Sequence, residues 1–272
     1  MNNLFAGQKD EWIALANIDY FGAFIKAYIP FNAWMNFYYP SLQKDREKIN
    51  AVKSTPNTFR NKICALLDLD SQEGSHFRNL IGDLHDMLEK HYIHNQDKRI
   101  TFTNITLGRN PDKQKSEDYN SHHFFVKVSD NQVQSIVQSN TTKEKKIDVV
   151  QTEYNVEELK KIDDYIKLSN SNKIKLLELY QKVNPYIEQN FIISGYELNE
   201  ANKKNKIELE MQHYQCGDYK FIKEPVLLAQ GLIEILYNLR CSLFHGEIMP
   251  NKEANQVYGA AYRILYTLIQ SL

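Results

Sequence analysis

Arg240 and His245, near the C-terminus, are residues whose types and spacing could do chemistry together. Arginine carries a planar, permanently charged fork of N–H donors. Histidine is the side chain whose proton exchange lies closest to neutral pH. Both belong to the run PVLLAQGLIEILYNLRCSLFHGE, residues 225–247. There Ala229, Leu232, Leu236, Leu239 and Leu243 step by three and four, the seam of a core-facing helix. Glu234, Asn238, Cys241 and His245 step likewise and form a polar stripe along another side. Gly246 stands where a helix-ending glycine would, and Pro250 prevents an early restart. His245 therefore falls at or just beyond a helix C-terminus, where the macrodipole favours the imidazolium form. That setting suits a group that transfers protons near neutral pH.

Arg240 precedes His245 by five positions, which on an ideal helix is roughly 140° of rotation. Within one straight helix the two side chains diverge. Either the helix ends between them, or two copies of the chain meet across a two-fold axis and gather two arginines and two histidines around one cleft. The second arrangement is the expected one, which makes the chain a homodimer.

The segment Arg240-Cys-Ser-Leu-Phe-His-Gly246 resembles the R-x4-H signature of the HEPN superfamily, helical proteins that include many ribonucleases of toxin–antitoxin, CRISPR and phage-defence systems. The lead-in IEILYNL and the trailing FHG resemble the way bacterial members present that motif. The stretch Phe24-IKAYIPFNA-Trp34 is similar to a helix at the start of such proteins. A second spacing, R-x6-H at Arg78 and His85, reads as a solvated surface pair on a helix. One departure stands out. Many active members carry Asn, Asp or His directly after the arginine, where this chain has Cys241, a weak hydrogen-bonder. Ser242 or Asn238 would have to supply the missing polar group.

The resemblance implies a metal-independent endoribonuclease. The ribose 2′-OH would attack the adjacent phosphorus, with His245 moving a proton as general base or acid. Arg240 would hold the phosphate oxygens as charge builds in the transition state. The nucleophile belongs to the RNA, so no cofactor or metal is called for, DNA is spared, and the products end in a 2′,3′-cyclic phosphate and a 5′-hydroxyl. RNA is the implied partner, together with an antitoxin or defence-system protein. A rival reading, favoured by Cys241, is a non-catalytic HEPN-like module that binds RNA, nucleotide or protein.

Several elements must position this pair. Trp12, Ala16, Tyr20, Ala23, Ala27, Phe31, Trp34 and Tyr38 share one helical stripe, with Pro30 expected to kink or divide it. A charged helix is expected over 42–52. Thr55-Pro56 is expected to open another, reaching Leu67, and Gly74-Ser75 a third, with Phe77, Leu80, Ile81, Leu84, Met87 and Leu88 at helical spacing. Strand character appears at 100–107, 124–128 and 147–152, with 108–121 as a loop or hairpin tip. Helical periodicity returns over 156–168 and 173–190, weakly over 199–212, then over 224–244 and 251–272. The expected fold is mainly α, a HEPN-like helical bundle with a small β insertion. Its N-terminal helices occupy 1–97, the insertion 98–155, and the helices carrying the motif 156–272.

Other signals have plain readings. His85, His91 and His94, interleaved with Asp83, Asp86 and Glu89, fit no common metal spacing and read as surface histidines; His122 and His123 face opposite sides of a strand. Tyr38, Tyr39, Tyr186, Tyr196 and Tyr214 could stack on bases, and the lysines of 143–146 and 203–206 could meet phosphates, although packing and solvation explain both sets. No glycine-rich phosphate loop or nucleophile elbow occurs, which argues against an NTPase or an α/β-hydrolase. Hydrophobic residues are 42% and charged residues 25% of 272, with a net charge of -1, so no global basic field marks a nucleic-acid partner. Three scattered cysteines suit a reducing compartment. The polar start MNNLFAGQKDEW is unlike a signal peptide, and no run reaches the roughly 20 apolar residues of a membrane span. A cytoplasmic protein with no membrane partner is expected.

Overall fold

A computed structural model describes residues 19–96, 98–129, 132–193 and 213–272. Trp12, Ala16, Tyr196, the weak helix 199–212 and the lysines of 203–206 lie outside them. The chain divides into two units, one of residues 1–105 and 189–272, the other of 106–188.

The first unit carries α1 (Tyr20–Tyr38), α2 (Asp45–Ser54), α3 (Thr58–Asp68), α4 (Gln72–Lys90) and the strands β1 (His94–Asn95) and β2 (Lys98–Arg99). A single helix runs through Pro30, burying Phe24, Ala27, Tyr28, Phe31, Trp34 and Met35. Helix α3 starts after Asn57 rather than at Thr55. The Asn57 side chain accepts from the Arg60 amide at 2.9 Å and donates to the Val52 carbonyl at 2.8 Å, tying the end of α2 to the start of α3. Ser71, not Gly74, caps α4 in the same way.

The second unit holds β3 (Ile105–Arg109), which enters it from the first, and β4 (Gln114–Tyr119), β5 (His122–Ser129), β6 (Gln132–Ser139) and β7 (Lys145–Gln151). Helices α5 (Val156–Lys161), α6 (Asp163–Ile166) and α7 (Asn170–Lys182) follow, and β8 (Tyr186–Gln189) leads out. Strands β4 to β7 form an antiparallel meander, and β3 pairs with β8. Phe124, Val126, Val128, Val133, Val137 and Ile147 point to one face, where Leu159, Tyr165, Leu176, Leu179 and Tyr180 cover them. This helical cover is why the unit reaches residue 188 and does not stop at 155.

The first unit resumes with β9 (His213–Cys216), β10 (Tyr219–Ile222), α8 (Pro225–Phe244) and α9 (Lys252–Ile269). Helix α8 packs against α2, α3, β1 and α9, and is buried on nearly every side. Tyr258 of α9 donates to the Leu239 carbonyl at 2.7 Å, joining the two helices beside the motif. Helix α8 is long and apolar enough, by length and composition alone, to cross a membrane, contrary to the expectation that no run would be. Here it serves as the central helix of the unit.

The expected mainly-α bundle is thereby corrected. The described residues are 52% helix and 22% strand with four small sheets, an α+β fold. Strand β4 is exposed on both faces and shows no alternation to read, and β1, β2, β9 and β10 are too short for a periodic signal.

Candidate active site

The end of α8 is built by Gly246. With φ +68° it takes the left-handed conformation that only glycine adopts cheaply. That turn lets the Glu247 amide donate back to the Ser242 carbonyl at 3.0 Å and the Gly246 amide to Leu243 at 3.3 Å, the paired bonds of a Schellman cap. His245 is the cap residue itself, exposed, with helical φ -87° and ψ -1° and its amide bonded to the Cys241 carbonyl at 2.9 Å. The helix therefore carries on through the pair and does not end between Arg240 and His245. In one chain their side chains leave α8 in different directions.

Arg240 is 22% exposed. Its Nη2 donates to Oδ2 of Asp45, the first residue of α2, at 3.0 Å, and its guanidinium lies 4.6 Å from the centre of the Phe244 ring. One helical turn deeper, Arg46 covers the Tyr237 ring at 4.2 Å and donates to Glu234 at 2.6 Å, while Lys53 donates to the other Glu234 oxygen at 2.5 Å. Glu234 is buried, so the polar stripe of the sequence is an internal seam for much of its length. Burial holds the Lys53 ammonium below its usual range, with Glu234 opposing the shift.

Two of the three supporting candidates, Ser242 and Asn238, face elsewhere. Cys241 is buried; burial and then a hydrogen bond with Cys241 push the Tyr237 hydroxyl up to about 12. Ser242 Oγ donates to the His94 carbonyl at 2.5 Å, and Asn238 accepts from Asn95 at 3.1 Å. Ser242 and Asn238 thus dock β1 against α8, and their bonds bring neither beside Arg240. Glu247 accepts from the Gln96 amide at 2.6 Å. Between these segments opens a cleft of about 180 Å³, lined by His91, His94, Glu247 and Met249 among others.

The alternative pair Arg78 and His85 is not a solvated surface pair. Arg78 donates to the carbonyls of Leu67 and Leu69 and so caps α3. His85 is buried beneath the β9–β10 hairpin, its ring 4.4 Å from that of Tyr219 and 5.7 Å from that of Phe221. Gly82 makes this possible, since any side chain there would run into the Cys216 carbonyl. Among the described residues no group of three His, Cys, Asp or Glu side chains is arranged to hold a metal ion. His122 and His123 bond instead to the Asn120 carbonyl and to Asp118. Tyr214 is likewise a packing residue, bonded to Asp68.

Sequence reasoning did not find Asp45, Arg46, Lys53 or Tyr28 as neighbours of the motif. They sit on α1 and α2, far away along the chain: Tyr28 reads there only as part of the stretch Phe24 to Trp34, Asp45 and Arg46 as part of a charged helix, and Lys53 lies just beyond it. Compared with protein-family models, curated proteins and solved structures, the chain matches none.

Proposed function

We propose that the chain is a metal-independent endoribonuclease with Arg240 and His245 as its active pair. One observation carries this reading: on a helix whose middle turns are buried, these two side chains emerge at its end, one half-buried and one exposed. An arginine held in place by a carboxylate and an aromatic ring is pre-oriented to meet phosphate oxygens. The exposed His245 at the helix end lies open to solvent and to a substrate. The 2′-OH attacks phosphorus, the P–O5′ bond breaks, and His245 takes the hydroxyl proton or supplies one to the leaving oxygen. Arg240 balances the charge that builds on the non-bridging oxygens.

Because the helix continues through His245, the working site joins two copies of the chain about a two-fold axis. Phe244 and Met249, 57% and 76% exposed on either side of His245 in sequence, are the large apolar groups such an interface would cover. The reading brings with it a cytoplasmic location, RNA as substrate and an antitoxin or defence-system partner. A second reading, a non-catalytic module that binds RNA, nucleotide or protein, draws on the occupied supporting groups: Cys241 is buried, and Asn238 and Ser242 are bonded to β1.

The test is cleavage of a labelled single-stranded RNA in EDTA by wild type, Arg240→Ala and His245→Ala. The proposal expects cutting by wild type and a loss of about 100-fold or more in each variant. Binding without cutting, unchanged in His245→Ala, would instead establish the second reading.

A further inference from the structure

Strand β1 and the turn after it are fastened along one face of α8 at three points. Asn95 donates to the Asn238 side chain at 3.1 Å, and Ser242 Oγ donates to the His94 carbonyl at 2.5 Å. The Gln96 amide donates to the Glu247 carboxylate at 2.6 Å, with Gln96 at a left-handed φ of +54° that residues other than glycine adopt at a cost. His245 belongs to the same face of the helix. It follows Asn238 by seven positions and Ser242 by three, which is about 20° and about 60° around the axis. Arg240 lies about 160° from Asn238, on the side that meets α2. Strand β1 thus accompanies the histidine of the motif and not the arginine.

The His94 side chain is exposed and lines the cleft of about 180 Å³ beside this contact. Glu247 and Met249, just beyond His245 and Gly246, line it too, as do His91, Tyr92 and Glu253. One cavity therefore joins the His94 ring to the turn that directly follows His245. Two carboxylates make this cleft a poor seat for a phosphate. A proton donor fits it better.

Transesterification of an RNA phosphodiester moves two protons. One leaves the attacking 2′-OH, and another must reach the departing O5′. Arg240 can do neither, because its guanidinium stays charged. His245 provides for one of the two. We propose that His94 is a second catalytic residue, the general acid paired with His245 as general base. Neutral His245 takes the 2′-OH proton as the 2′ oxygen bonds to phosphorus. The P–O5′ bond breaks, and the His94 imidazolium gives its proton to O5′. Exchange with water then returns both rings to their starting forms. In the two-fold arrangement one copy supplies both imidazoles to a phosphate and the other supplies the arginine. This inference rests on the nuclease reading for its reaction.

Sulfur in place of the bridging O5′ separates the two proton transfers, since a thiolate departs without being protonated. Single-turnover cleavage by the full chain in EDTA is compared for an RNA with one scissile bond and for its 5′-thio counterpart. His94→Ala is expected to cut the oxygen substrate about 100-fold more slowly and the sulfur substrate at near the wild-type rate. His94→Gln gives the same result if the alanine variant is unstable. Both variants keep the Ser242 bond, which is made to the main-chain carbonyl. His245→Ala should slow both substrates, and His91→Gln, on the same cleft, should slow neither. Wild-type rates in the His94 variants, an equal loss on both substrates, or the selective loss appearing in His91→Gln instead overturns the proposal and leaves the nuclease in place. Wild type that cuts neither RNA ends the nuclease reading, and this inference with it.

Discussion

The Glu234 carboxylate on α8 lies 2.5 Å from the Lys53 ammonium on α2, and both are buried. This contact and the Arg46 bond beside it fix the two helices whose residues meet at the motif. Their registry decides that Asp45 faces Arg240.

Glu234→Ala removes the carboxylate that pairs with the buried Lys53 ammonium. The expected loss is about 3 kcal/mol, the scale for breaking one side of a buried pair. Urea unfolding measures it. A Lys53→Met, Glu234→Leu double variant should recover much of the loss, since well-packed apolar groups of similar volume replace such pairs at little cost.

His85 gives the fold a pH dependence. Burial holds its imidazole below the ordinary histidine range, with Glu89 and Asp86 opposing and Arg99 reinforcing. The unfolded chain takes up this proton near pH ~6.5, the folded chain only at lower pH. Between those values the unfolded state binds more protons, so stability is complete above ~6.5 and declines as the pH falls through the window. Thermal unfolding of wild type and His85→Leu from pH 8 to pH 5 should show a steeper acid decline in wild type. Parallel curves would contradict this account.

Gly246→Ala tests the helix end. A methyl group there meets nothing within 4 Å, so the cost is purely conformational, about 1 kcal/mol for holding φ +68°. Gly246→Asn should cost less, because asparagine visits that region more readily. RNA cleavage should fall further than stability in both, since the turn orients His245.

Much of this region was legible in the sequence, for identifiable reasons. Steps of three and four fixed α8 and α9 to within a few residues, and a glycine followed by a proline marked where α8 ends. The inward face of β5 could be read from Phe124, Val126 and Val128. Other features left no local trace. The partners of Arg240 are set by the packing of α2 on α8, which no spacing encodes. His85 looked solvated because its neighbours Asp83, Asp86 and Glu89 are charged, yet it shares the buried face of Ile81, Leu84 and Leu88. The α+β character escaped because β4 carries no alternation and the short hairpins are held by tertiary packing rather than by their own pattern.

The nucleophile assigned to the RNA itself can be removed one atom at a time. A labelled RNA cut at one position by the wild-type chain is resynthesised with a single 2′-deoxy nucleotide on the 5′ side of that bond. The account predicts that this bond alone becomes resistant while other sites are still cut, and that the all-ribose product carries a 2′,3′-cyclic phosphate. Cleavage at the deoxy position at an undiminished rate would contradict it.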